Sequence, residues 1–461
     1  MDASREADRL SALPDDLLVD IVERLSDLRT TIRISTLSRR WARIPRLLPV
    51  LEIDVYDVMT RADSEFTTCS AEAAAAAHAA TARWLLMDQP TGGGRKKLFL
   101  AFYLIDSFLQ SLGHAVGDAV ERGHTECLEF TIWTQVSAAS ASDLDLDLYG
   151  KKFMDACPVA FSWLTSLTLH NLCFGADDAR RLLDAAIRLE TLCLSRCASQ
   201  TEVLEIDAPR SQLMVLELLS CYFEKVDLIR VPQLGQVNCD DWSGENNPPL
   251  RFGYVPRLHN VSLASSWQWQ EPFALSECLS NTRNLSIVHL SFRGAKIWVK
   301  PEEPNQLFPV FSNLRDMYLY DISHESELDW TLYVLHAAPS LRNLYIKISR
   351  HICGRNNFED ETKMLWETPD FKHNNLSLLQ IKGFAVEKKV MEYVRLVIQR
   401  AVNLKNIHLL EQDPCVACED TCLRYPRLMR PPRFPVDERR KNMVRARLTD
   451  GVCSSAKISI G

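Results

Sequence analysis

The sequence predicts an α/β protein: a short N-terminal helical module followed by an irregular solenoid of short parallel strands and helices. Three observations lead there. At 461 residues, the chain exceeds the roughly 250–300 residues at which a single core stops growing. An aliphatic frame, L-x-x-L-x-L, returns ten times between Leu164 and Leu409, once in degenerate form at Leu234. Ahead of it, residues 13–25 carry apolar side chains at helical spacing on one face and charges on the other.

The elements follow in chain order. Residues 8–48 form the helical module. In its first helix Pro14 suits the first helical position, where its missing N–H would be unpaired anyway. Asp15 and Asp16 set negative charge at the positive end of the helix dipole. Leu17, Leu18, Ile21, Val22 and Leu25 make one apolar stripe. A second helix is expected over residues 31–44, with Ile32, Leu37, Trp41 and Ile44 apolar. A pair of helices this short buries little surface by itself, so the stripe wants either a partner or the end of the array to cap. Residues 49–97 read as a linker with an Ala-rich helix over 71–87. Glu72, His78 and Arg83 interrupt that helix, so it suits a buried position rather than a bilayer, which needs ~20 apolar residues. The linker ends in the loop Pro90-Thr91-Gly92-Gly93-Gly94. The run from Gly92 to Lys97 lacks the spacing of a phosphate-binding loop and reads as flexible.

Residues 98–375 carry the array. The frames start at Leu164, Leu189, Leu213, Leu234, Leu258, Leu285, Leu314 and Leu341, and continue beyond it at Leu376 and Leu404. Alternate residues of a strand face one side, so each short strand buries its leucines only if another copy stacks on it. Residues 98–102 and 127–132 are expected to be the first, degenerate strands. Cys197 and Cys221 follow their frames where a small side chain fits inside the turn. A helix is expected over residues 177–189, packing Ala179, Leu182, Leu183, Ala186 and Ile187. Residues 376–411 should give a strand, a helix over 387–401 with Val390, Val394, Ile398 and Ala401 inward, and a second strand. Residues 412–461 are a Cys- and Arg-containing tail.

The frame repeats at spacings of 25, 24, 21, 24, 27, 29, 27, 35 and 28 residues. It resembles the leucine-rich repeat of ~20–29 residues, with insertions in the longer gaps. Leu13-Pro14-Asp15-Asp16-Leu17-Leu18, together with Leu37-Ser38-Arg39-Arg40-Trp41, resembles the F-box of plant F-box proteins. It departs from the commonest form at Arg43-Ile44-Pro45, where a Trp often follows. Residues 376–411 look like the FBD module that follows leucine-rich repeats in the same plant family, and would close the open edge of the array. The resemblance implies a non-catalytic subunit of an SCF-type ubiquitin ligase. By it, Leu13, Pro14, Leu17, Ile21 and Leu25, together with Ile32 and Trp41, contact a Skp1-like adaptor and through it a cullin. The repeats would hold a target protein whose identity the sequence does not carry. A repeat scaffold without ligase role, or a small-molecule receptor, stays open beside that reading.

A net charge of −7 argues against nucleic-acid binding, which wants a basic face. No secretory leader or membrane span is visible in the sequence, so nucleus and/or cytoplasm is the expected location. There the fourteen cysteines stay reduced and the sequons at Asn260, Asn284 and Asn375 stay unmodified. Cys415, Cys418 and Cys422 invite a zinc reading, but zinc wants four ligands and only Cys453 or a distant His could supply the fourth. Structural thiols are the favoured reading, with neither metal nor cofactor. Arg439, Arg440, Lys441, Arg445 and Arg447 read as a solvated helix face ahead of a nuclear-import signal. No catalytic fingerprint is present. Trp267, Trp269, Trp298, Trp330 and Trp366 fall in gaps after repeat strands, either as anchors for a target or as core between repeats.

Overall fold

Each frame from Leu189 onward begins two residues ahead of its strand, and the first begins with its strand at Leu164. A computed structural model describes residues 10, 13–25, 27–58, 68–87, 95–123, 125–134, 154–155, 157–201, 203–242, 248–265, 272–294, 297–350, 370–415, 418, 434–452 and 454–461. The chain divides into two units, Met1–Glu217 with Cys221–Phe223, and Leu218–Ser220 with Glu224–Gly461.

The first unit opens with α1 (Asp15–Glu23), α2 (Leu28–Ser35) and a 3₁₀ turn, Ile44–Leu47. Then come β1 (Val50–Asp54), α3 (Val55–Val58), α4 (Thr68–Leu86), β2 (Lys97–Tyr103), α5 (Asp106–Gly123), β3 (Cys127–Trp133), α6 (Pro158–Trp163) and β4 (Leu164–His170). They are followed by β5 (Cys173–Phe174), α7 (Asp178–Ala185), β6 (Thr191–Ser195), β7 (Ala198–Ser199), β8 (Val203–Asp207) and β9 (Val215–Leu219), the last two residues of which are assigned to the second unit. Strands β1, β2, β3, β4 and β6 pair in parallel. Their inward residues, Leu51, Leu98, Leu128, Leu167 and Leu192, are fully buried.

The expected helix over 31–44 is shorter and starts earlier. Asp27 caps α2 by accepting from the Arg29 and Thr30 amides. The Ser35 and Thr36 hydroxyls donate to Ile32 O and Arg33 O, competing with the ladder where the helix stops. Pro14 sits at the N-cap rather than inside the first turn. Several strands lie outside the frame, β5, β7 and β8 among them. β1 lies in the expected linker, and the tail returns to the sheet.

In the second unit the strands are β10 (Lys225–Arg230), β11 (Gln236–Asp240), β12 (Leu250–Tyr254), β13 (Asn260–Ala264) and β14 (Ile287–Ser291). β15 (Asp316–Ser323), β16 (Asn343–Ser349), β17 (Leu378–Lys382), β18 (Asn406–Leu410) and β19 (Lys457–Ile460) complete them. β11 and β13 to β19 form one parallel ladder. The opening leucines Leu258, Leu285, Leu314, Leu341, Leu376 and Leu404 are buried, two residues ahead of their strands. The expected helix over 387–401 is Lys388–Arg400, with Val390, Val394 and Ile398 buried. The FBD-like segment does not end the ladder: β19 from the tail covers β18, and helix Glu438–Thr449 buries Val444 and Leu448.

Two periodic devices hold the repeats. The residue before the frame is often Asn, and its side-chain amide donates one repeat back: Asn284 to Pro256 O (2.7 Å), Asn313 to Arg283 O (3.0 Å), Asn375 to Pro339 O (2.8 Å), Asn403 to Asn374 O (2.8 Å). Such hydrogen bonds contribute about 1 kcal/mol each at most. Two of these asparagines head the sequons noted above. The strand's far end turns through a left-handed residue, as at Asn171, Arg196, Ser220, Asp241 and Gly383.

Candidate functional site

The helical module divides its apolar stripe between two sides. Leu18 and Val22 are buried, whereas Leu17, Leu25 and Leu37 are 44%, 38% and 68% exposed. Pro14 is exposed, and Leu13, Ile21 and Ile32 are half-buried. Arg40 anchors the start of α1: its Nε and Nη2 donate to Asp15 Oδ1 at 2.8 and 2.6 Å, and Nη2 also donates to Leu13 O. The second arginine of L-S-R-R-W therefore holds L-P-D-D in place. Trp41 departs from its expected role. At 5% exposure it packs inside the module, where a large ring contributes most, and it offers no outward surface. Leu37, in a turn rather than in a helix, is the outward residue of that segment.

The module is tied to the strands behind it. Arg29 Nε donates to Asp57 O at 2.5 Å and Nη2 to Tyr56 O at 3.1 Å, just past β1. Arg95, 3% exposed, donates to Leu48 O (3.4 Å) and Arg46 O (3.2 Å), and burial pushes its pKa down to about 10. Arg46 in turn lies over the Trp84 ring. The sequence placed Arg95 in a flexible loop, and nothing local marked it as a buried tie.

On the second unit's strands, the polar face of the sheet carries an aromatic ladder. His289 on β14 stacks on Tyr318 of β15 at 4.3 Å and 5°, and Tyr318 stacks on Tyr345 of β16 at 4.5 Å and 3°. Tyr320 leans on both His289 and Tyr318. The three stacked residues are in register and half-buried. Burial lowers the His289 pKa and raises those of Tyr318 and Tyr320. Their flanks are ion-paired or hydrogen-bonded: Lys347 to Asp321 at 2.9 Å, and Asn343 to Asp316 at 2.6 Å. Aromatic side chains of this sort are favoured at protein interfaces.

The tryptophans singled out from the sequence lie elsewhere. Trp298 and Trp330 are each 2% exposed, and Trp298 stacks on Phe273 at 5.3 Å. They fill the space between repeats and cannot anchor a target. Trp267, Trp269 and Trp366 lie outside the described residues. Cys197 and Cys221 occupy the turn as expected, buried, with their thiols donating to Leu169 O (3.4 Å) and Leu194 O (3.2 Å). Cys415 and Cys418 are half-buried, while Cys422 and Cys453 lie outside the described residues. Among the described residues no group of three His, Cys, Asp or Glu forms a metal site, and no helix is long and apolar enough to cross a membrane.

Residues 131–457 match the LRR domain family described as At1g61320/AtMIF1. The chain belongs to this leucine-rich-repeat family. Over 432 residues it is also 23% identical to a putative FBD-associated F-box protein, At5g56560, of Arabidopsis thaliana, covering 84% of this chain and 89% of that one. Together the two matches support a plant F-box/leucine-rich-repeat protein with FBD-like features. Its coarse role is protein interaction of the F-box type.

Proposed function

We propose that this leucine-rich-repeat protein recruits targets to an SCF-type ubiquitin ligase. A Skp1-like adaptor, and a cullin through it, would dock on Leu13, Pro14, Leu17, Ile21, Leu25 and Ile32, with Leu37 beside them. The observation that carries this is the split stripe: Leu17 and Leu25 stay largely exposed while Leu18 and Val22 satisfy the core. Burying about five such aliphatic side chains contributes on the order of 10 kcal/mol gross, and ordering two proteins takes back much of it. The half-buried ladder His289, Tyr318 and Tyr345 is the target-holding surface in this reading. No residue of the chain acts as acid, base or nucleophile; catalysis is proximity, raising the concentration of a target lysine near a charged ubiquitin carrier. The nucleus and/or cytoplasm is where such a ligase would work.

The test is a double substitution, Leu13→Arg with Leu17→Arg, in the full chain. Co-purification of a Skp1-like adaptor should be abolished while the array unfolds at an unchanged temperature. Undiminished adaptor binding overturns the proposal.

A further inference from the structure

The aromatic ladder ends at His289, whose partner on β13 is the small Ser262. The row in register across the sheet runs Asn238, Ser262, His289, Tyr318, Tyr345 and Gln380. At one end the Gln380 side chain follows Tyr345. At the other, the register partner of His289 on β13 is Ser262. The neighbouring outward positions, Ala264 and Ser291, are also small and are paired across β13 and β14. Neighbouring strands lie about 4.8 Å apart, so a flat group over Ser262 would continue the stack at nearly the 4.3 Å and 4.5 Å of the existing rungs.

The surroundings specify what the group should be. Asn260, one pleat before Ser262 on the same face, has its Oδ1 buried with no hydrogen-bond partner, and an orphaned acceptor calls for a donor. Among the described residues Asp240 and Asp316 flank the rung on β11 and β15; Arg293 pairs with Asp240, and Lys347 with Asp321. Among the described residues the face therefore sets negative charge beside an unsatisfied acceptor and an aromatic ring. A guanidinium is the side-chain group that is planar, cationic and rich in N–H donors at once, and it stacks on aromatic faces. Because burial lowers the His289 pKa, that ring stays neutral near pH 7 and does not repel a cation.

We propose that the recruited protein inserts an arginine at Ser262, stacking its guanidinium on His289 and donating to Asn260 Oδ1, with Asp240 and Asp316 as counter-charge. This rests on the reading of the ladder as the target-holding surface.

The experiment titrates the full chain, labelled at histidine ring carbons, with acetyl-Gly-Arg-Gly-amide and with its lysine and citrulline counterparts. Assignment of the His289 signal comes from His289→Gln. A saturable His289 shift with the arginine peptide is expected, and ~10-fold weaker binding of lysine, which keeps charge without the plane, and of citrulline, which keeps the plane without charge. Ser262→Phe places a ring of the chain's own on the rung and should abolish the shift; Asn260→Leu, should the first variant fold poorly, should weaken it. Equal binding of the three peptides, a shift that survives Ser262→Phe in folded protein, or no shift at all overturns the arginine. Those results leave the ladder's wider role to its own test, loss of target capture in Tyr318→Ala with Tyr345→Ala.

Discussion

Arg350 grips Glu387 with both terminal guanidinium nitrogens, Nη1 to Oε1 at 2.9 Å and Nη2 to Oε2 at 3.0 Å, while its Nε donates to Gly383 O at 2.7 Å. One side chain thus joins the end of β16 to the turn after β17 and to the start of helix Lys388–Arg400. Both partners are less than one-fifth exposed. Removing one member of so enclosed a pair strands the other charge. Arg350→Ala should cost the second unit about 2–3 kcal/mol, and Arg350→Lys should recover little of it, since lysine cannot form the two-point contact. Urea denaturation of the three proteins measures this; a wild-type midpoint for Arg350→Ala refutes it.

Gly383 is the left-handed turn residue that Arg350 holds, with φ of +75°. A Cβ there would lie 2.2 Å from Ile348 O, a backbone atom that cannot swing away. Gly383→Ala should therefore lose ~3 kcal/mol or more. Gly451 has a similar φ with open space around it, so Gly451→Ala should lose only ~1 kcal/mol. Comparable losses in the two, by thermal unfolding, would show that the turn relaxes.

His78 gives the first unit a pH dependence. It is buried, bonded to Ile53 O at 3.1 Å, and burial lowers its pKa from 6.5 to about 4. The proton prefers the unfolded chain, so stability from this group is whole above pH 6.5 and is lost as pH falls toward about 4. The loss amounts to ~3 kcal/mol. Unfolding free energies between pH 7.5 and about 4.5 should fall for the wild type and fall less steeply for His78→Gln; parallel slopes would exclude His78 as the source.

Trp41 and Leu17 should behave oppositely. Trp41→Ala opens a cavity in the helical module and should cost ~3–5 kcal/mol. Leu17→Ala removes an exposed side chain and should change stability by no more than ~0.5 kcal/mol while weakening adaptor capture. Circular dichroism melting paired with a pull-down separates them.

The strands were legible because the frame's leucines must stack in register. The pairing partner was less so. Val-Leu-Glu-Ile-Asp occurs twice, as β1 and as β8, with the same two residues buried each time. Only β1 joins the parallel ladder of β2, β3 and β4. Five residues decide that a strand forms and which face goes inward; the rest of the chain decides its neighbours. The same limit applied to the helical stripe, whose five apolar residues could not say which side met the core. The aromatic ladder was written in the sequence but hidden by distance: His289, Tyr318 and Tyr345 each stand four residues after the opening leucine of their frame. Aligning the frames one over another brings them into a column. Arg95 had no such signal, since its acceptors are carbonyls nearly fifty residues away.

β19 has a kinetic consequence. β18 ends at Leu410 and its covering strand begins at Lys457, so during synthesis its edge waits for more than forty further residues. At ~5–20 residues per second that interval lasts seconds, long against the microseconds in which neighbouring segments pair. Throughout it, a row of amide and carbonyl groups stands ready for any other strand in the cell. A premature stop before Lys457 would make that brief exposure permanent, and the harm would come less from a missing contact than from a template left standing.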